Sequence, residues 1–287
     1  MLGGMFTVLL STATASLFGV ADFFGGVASR RASALAVTAL AHSVGLALFA
    51  LALVVAPAPF SRTAVLAGAA AGVGGGIGVA ALYAALARGR MSLVAPVTAA
   101  ISGSLPALYD FATGATLAPT AIAGLVLALV ATVIVSATSV DEPGGAPGLP
   151  PAALGLSLLA GVGFAGSFLS FSFAGDGSGF WPLATARLVS VAMIGSLALV
   201  RSAGRPDFSA EAWRPTLLAG LLDAFANVTM LAAIRIGPLA IASVIGSLYP
   251  VATVLLARVV LKEHLHGWQR VGIGLALAAV VLAAWPR

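Results

Sequence analysis

Ten times along this chain a run of about 20 residues passes almost without a charge, each bounded by proline, glycine or a charged residue. An α-helix rising 1.5 Å per residue needs a run of about that length to cross the roughly 30 Å hydrocarbon core of a bilayer. The runs lie near 5–28, 33–56, 64–87, 92–112, 118–139, 152–174, 181–200, 215–236, 239–260 and 268–285. They are continuous and lack the two-residue alternation of a membrane β-barrel, so helices are predicted. Composition agrees, with 60% of residues hydrophobic and 8% charged, against roughly a quarter charged in a soluble domain. The expected fold class is an all-α integral membrane protein of ten transmembrane helices in two inverted five-helix repeats.

The 34 glycines fit that class, because membrane helices use small residues to approach one another closely. There is no cysteine, which excludes disulfides and thiolate metal sites. The net charge of +5 is spread over short loops and forms no basic patch, so nucleic acid is not an expected partner. The first residues, MLGGMFTVLLSTATASLFG, have the small residues of a cleavage site near Ala13 and Ala15. They lack a basic n-region, and the apolar run continues through Val27, so they are read as the first span.

Two stretches are markedly polar, 139–151 (SVDEPGGAPGLPP) and 201–215 (RSAGRPDFSAEAWRP). The first follows five spans, and its Pro and Gly cannot continue a helix. It divides the chain into 1–139, a linker at 140–151, and 152–287. Shifting the chain by 148 residues lays ALARGRMSLVAPV, from Ala85, over AIRIGPLAIASVI, from Ala233. Between Ala84 and Val133, 11 of 50 positions are then identical, about twice chance for this composition. Five spans per half is an odd number, so the second half enters the membrane in the opposite sense, the inverted repeat of many secondary transporters.

The stretch GPLAIASVIGSLYPVATVLLARVVLKEHLHGWQRVGIGLALAAVVL resembles the EamA type of the drug/metabolite transporter superfamily, through its SLYP, TVLLAR and LKEHL. ALARGRMSLVAPV and SLFGVADFFGGVASRR look like the matching first-half segments. The resemblance implies alternating-access transport of small solutes through a cavity formed by spans 1–4 and 6–9, with spans 5 and 10 peripheral. One departure is ATGAT where the second half has LKEHL, so Glu263 has Ala115 as its counterpart. Loops on one side carry Arg30, Arg31, Arg88, Arg90, Arg201, Arg205, Arg214, Arg258, Lys262 and Arg270, and the other side has Arg62, Arg235 and Arg287. The positive-inside rule makes the first side cytoplasmic and both termini external, whereas members of the family are often drawn the other way up.

Asp223, in GLLDAFANVTMLAA, lies about 13 Å along its span from Arg214 and is the deepest charge in the sequence. Asn227, Met230 and Ile234 continue its face. An ionised carboxylate facing lipid costs roughly 2.5 kcal/mol or more, so this face is expected to line a cavity or meet a partner, with Asp223 a candidate proton or substrate site. A buried hydrogen-bonded pair gluing two helices is the plainer reading. Arg187, six residues into span 7, is placed to reach Asp223; the family often has an Arg here, which implies a scaffold role, and snorkelling is the alternative. Asp22 is a candidate for the cavity or for a salt bridge with Arg30 or Arg31. His42 can titrate near neutral pH but is more often a satisfied helix contact. Tyr83, Tyr109 and Tyr249 are candidate cavity aromatics or interfacial ones.

Ala64, Gly68, Gly72, Gly76, Ala80 and Ala84 form a four-residue-spaced packing stripe, and the GVGGGIG within it lacks the context of a nucleotide loop. Pro96, Pro106 and Pro250 can free backbone carbonyls inside spans. Glu263, His264 and His266 lack the further ligands a metal site needs. No cofactor is expected. The residues point to a secondary transporter in the cell membrane, exporting small metabolites such as amino acids, or amphipathic drugs, with coupling to protons an option. An intramembrane enzyme, for which no catalytic motif is present, and a structural membrane partner are the alternatives.

Overall fold

The computed structural model describes residues 2–89, 91–137, 150–202, 208–260 and 267–284. Arg90, Arg205, Lys262, Glu263, His264, His266, Arg287 and nearly all of the expected linker lie outside them. The described chain is helical, with a single isolated bridge between Ala32 and Phe208. Its helices are α1 (Leu2–Ser29), α2 (Ala34–Val55), α3 (Arg62–Arg88), α4 (Met91–Ala112), α5 (Pro119–Ala137), α6 (Pro151–Ser172), α7 (Trp181–Arg201), α8 (Trp213–Ile236), α9 (Leu239–Gly246), α10 (Pro250–Val260) and α11 (Gly267–Ala284). Seven spans, with α9 and α10 counted as one, are long and apolar enough to cross a membrane. Shorter apolar helices run over Pro119–Ala131 and Arg270–Ala279. Helix α4 has 22 residues and runs through Pro96 and Pro106 unbroken.

The ends follow local chemistry. Ser33 and Ser61 cap α2 and α3, accepting from the Ala36 and Ala64 amides at 3.2 Å. The turn after α6 passes through Gly175, Gly177 and Gly179 at φ +70°, +78° and +53°, a backbone that residues with a Cβ rarely adopt. The ninth span is where helices and apolar runs part company. It unwinds at Ser247–Tyr249, just before Pro250, which has no amide hydrogen to join its halves.

The helices pack through small residues. The closest partnerships are α3 with α6 and α7, α1 with α8, α2 with α7 and α8, α4 with α6 and α9, and α5 with α11. Gly68 and Gly72 bring the α3 backbone against the backbone of Pro182 and Ala186 in α7, and Gly76 faces Ser190. Gly74 does the same toward the Gly163 backbone of α6, and Gly78 lies against the Phe164 ring. Large side chains point outward instead: Val54, Val200 and Val259 are more than 70% exposed, as lipid-facing residues are in a protein without its bilayer. Hydroxyls join helices across the core. Thr14 meets Thr229 at 2.7 Å, Thr98 donates to the Ser157 carbonyl at 3.2 Å, and Thr253 donates to the Gly19 carbonyl at 3.0 Å.

The loops sort to two ends. The Ala32–Phe208 bridge joins the α1–α2 loop to the segment before α8, beside Arg30 and Arg31. At the other end the Trp181 indole donates to the Ala58 carbonyl at 3.1 Å, and Arg235 donates to the Ser178 hydroxyl at 2.8 Å.

Candidate functional site

Asp223 is the eleventh of 24 residues in α8, so the helix itself holds it near mid-depth. The α8 face bearing Asp223, Asn227, Met230 and Ile234 is buried throughout, as its spacing predicts. Arg187 reaches it from α7, and its Nη2 donates to Asp223 Oδ2 in a close ion pair with both side chains 7% exposed. The Asn227 amide donates to the Asp223 carbonyl at 2.8 Å and to Oδ1 at 3.3 Å. Both carboxylate oxygens are therefore engaged.

His42 carries the network across to the first half of the chain. Arg187 Nη1 lies 3.1 Å from His42 Nε2, and His42 Nδ1 lies 2.5 Å from Ser190 Oγ. A guanidinium can only donate, so Nε2 is the accepting, unprotonated nitrogen. His42 is thus a neutral imidazole whose Nδ1–H donates to Ser190. Gly45, one turn along α2, leaves the space in which Arg187 lies, its Nε 3.0 Å and its Cδ 3.3 Å from where a Cβ would stand. The result is one cluster on three helices: His42 of α2, Arg187 and Ser190 of α7, and Asp223 and Asn227 of α8. The Arg187 Nε is buried without a hydrogen bond among the described residues, so its N–H is an unused donor.

The remaining candidates divide. Tyr83 and Tyr249 are buried, 1% and 2% exposed, and belong to the interior. Tyr109 is 37% exposed and packs edge-on against Phe173, an arrangement suited to the interface. Asp22 is buried beside Asp223 and within its electrostatic reach. The salt bridge that is the alternative to a cavity role is absent among the described residues: Arg30 and Arg31, two turns and more along, are exposed and pair with neither carboxylate. Gly68, Gly72 and Gly76 face α7 and pack helices. No group of three His, Asp or Glu able to hold a metal occurs among the described residues. An apolar groove lined by Thr12, Ser16, Leu248, Leu255 and Leu277 opens between α1, the α9–α10 unit and α11, away from the charged cluster.

Ser190 escaped the sequence reading, although its position three residues after Arg187, on the same helix face, was available as a signal. What the sequence does not encode locally is that this face of α7 meets α2.

Residues 151–285 match the model of the EamA-like transporter family. A solved structure described only as "Crystal structure of protein" superposes with a TM-score of 0.71 at 18% identity, covering 96% of each chain. At that identity the likeness shows a shared fold. No curated protein matches the chain.

Proposed function

We propose that the chain is a multi-pass membrane transporter of the EamA-like family, whose model matches residues 151–285, and that it works by alternating access around the cluster on α2, α7 and α8. The observation that carries this reading is the Arg187–Asp223 pair with His42, buried near the middle of α8 between helices of both halves. Ionisable groups are costly there and mark solute or proton pathways. In this reading the cargo is a small metabolite, an amino acid or related compound, or an amphipathic drug, exported across the cell membrane with proton coupling. A guanidinium and a carboxylate side by side offer each charge of a zwitterionic solute an opposite partner, which favours the amino-acid class.

An inverted repeat supports the rocking motion that alternating access requires. Gly72 of α3 sits against the Ala186 carbonyl of α7, and Gly220 of α8, 148 residues on, sits against the Ala41 carbonyl of α2. In both contacts the next nearest atom is the same alanine's Cα, at 2.9 Å from the site of a glycine Cβ. His42 and Arg187 each follow one of those alanines and meet each other. The pairing of α3 with α6 likewise has its counterpart in that of α8 with α1.

The test is a thermal-shift screen of small metabolites on the purified chain. A ligand at 100 times its dissociation constant stabilises by about 2.7 kcal/mol. We expect hits carrying both an amine and a carboxylate, lost in Asp223→Asn while that variant remains folded. Hits that bind Asp223→Asn and Arg187→Gln as well as wild type would remove the cluster from the reading.

A further inference from the structure

We propose that Asp22, and not the ion-paired Asp223, is the carboxylate that takes up and releases the coupling proton; the proposal rests on the transporter reading above. Among the described residues the Asp22 side chain has no hydrogen bond and no ion pair, although it is only 5% exposed. Arg187 and Asp223 cancel each other's charge, and the geometry above makes His42 neutral. An ionised Asp22 would leave the centre with one uncompensated negative charge beside a second carboxylate, an arrangement that is expensive in a dry interior.

The stripe of α1 around Asp22 shows what surrounds it. Phe18, Gly19, Asp22, Gly25 and Gly26 occupy one helical face. Gly25 lies directly beneath the Tyr83 ring and hydroxyl, and Gly19 lies against the Tyr249 backbone. Phe18 packs against the cluster of Ala95, Ala99 and Tyr249. Both phenols are within electrostatic reach of Asp22. The Tyr249 hydroxyl is buried and makes no hydrogen bond of standard geometry among the described residues, although Ser102 stands near it.

The titratable groups within reach of Asp22 are therefore Asp223 from α8, Tyr83 from α3, and Tyr249 from the α9–α10 break. His42 on α2 and Arg187 on α7 are engaged with each other and with Asp223. Glu211, in the short turn before α8, is exposed.

This shell suits a proton better than other cations. A divalent metal takes six or more oxygens, and here one carboxylate is unengaged. An organic ammonium needs volume, and the rings and backbone packed on Gly19 and Gly25 fill it. A proton needs only the free carboxylate oxygen. Release is a simple ionisation: the carboxyl O–H breaks and the proton passes to water, once α1 parts from Tyr83 or Tyr249 and admits it.

Infrared difference spectroscopy of the full chain in lipid nanodiscs, during a pH change and without any solute, tests this. Wild type should show a carbonyl stretch of a buried protonated carboxyl group that disappears at alkaline pH. The band should be lost in Asp22→Asn, retained in Asp223→Asn, and shifted in frequency in Tyr249→Phe. Asp22→Glu, which keeps the acid should the amide variant fail to fold, should replace the aspartic band with a glutamic one. A band that persists in Asp22→Asn, or vanishes only in Asp223→Asn, overturns the proposal, as does its absence from wild type. Failure of the chain to carry solute would sink the transporter reading and leave this band in place, so the two failures are distinguishable.

Discussion

Arg187 is held by its position at the meeting of three helices, and its energetics follow from what it neutralises. Removing it leaves Asp223 buried without a counter-charge, a change that typically costs about 3–5 kcal/mol. Arg187→Met should therefore lower the melting temperature of the purified protein sharply. The double variant Arg187→Met with Asp223→Leu should recover most of that loss while transport stays absent, since apolar replacements for a buried pair are often neutral or stabilising. A single variant as stable as wild type would show the pair to be exposed to water in the membrane. Much of this cluster was legible from spacing: Asp223 and Asn227 one turn apart, and Arg187 within reach. His42 was underrated because a lone histidine in an apolar helix carries no sign of the guanidinium that meets it from 145 residues away.

Among helices, close approach is set by single glycines, and the tolerance of each depends on what lies beyond it. Gly72 and Gly220 face backbone, which cannot swing aside. Gly72→Ala and Gly220→Ala should each destabilise by about 1–3 kcal/mol, the usual cost of overpacking. Gly195, with no atom within 4 Å of a Cβ, is the control. Gly195→Ala should be neutral or gain up to about 1 kcal/mol from helix propensity, and calorimetry on the three variants checks the contrast. The helix ends were readable to within about two or three residues because Pro, Gly, Ser and Arg punctuate the apolar runs. The break at Ser247–Tyr249 was not, because the run from Leu239 to Val260 stays apolar across it and Pro250 alone signals it. Pro96 and Pro106 leave α4 unbroken, so a proline by itself does not decide the matter. If the break serves the transport cycle, Pro250→Ala should lower transport without lowering the melting temperature.

Across the whole molecule, the absence of cysteine makes topology directly measurable. Single cysteines at Ser33 and Ser209, flanking the Ala32–Phe208 bridge, should react with a membrane-impermeant maleimide from one side of the bilayer, and one at Ser61 from the other. The charge bias predicts that the first side is the cytoplasmic one. Paired cysteines at Ala32 and Phe208 should crosslink. Labelling of Ser33 and Ser61 from the same side would contradict the fold.

The central claim is that this chain moves a solute through the Arg187–Asp223 cluster, and flux across liposomes that contain only this protein tests it most directly. The solute should be an amine–carboxylate hit from the thermal screen, followed under an imposed proton gradient. The account predicts uphill flux in wild type and none in Asp223→Asn, with passive exchange surviving in Asp22→Asn after its proton-driven component is lost. Uphill flux at the wild-type rate in folded Asp223→Asn would contradict it.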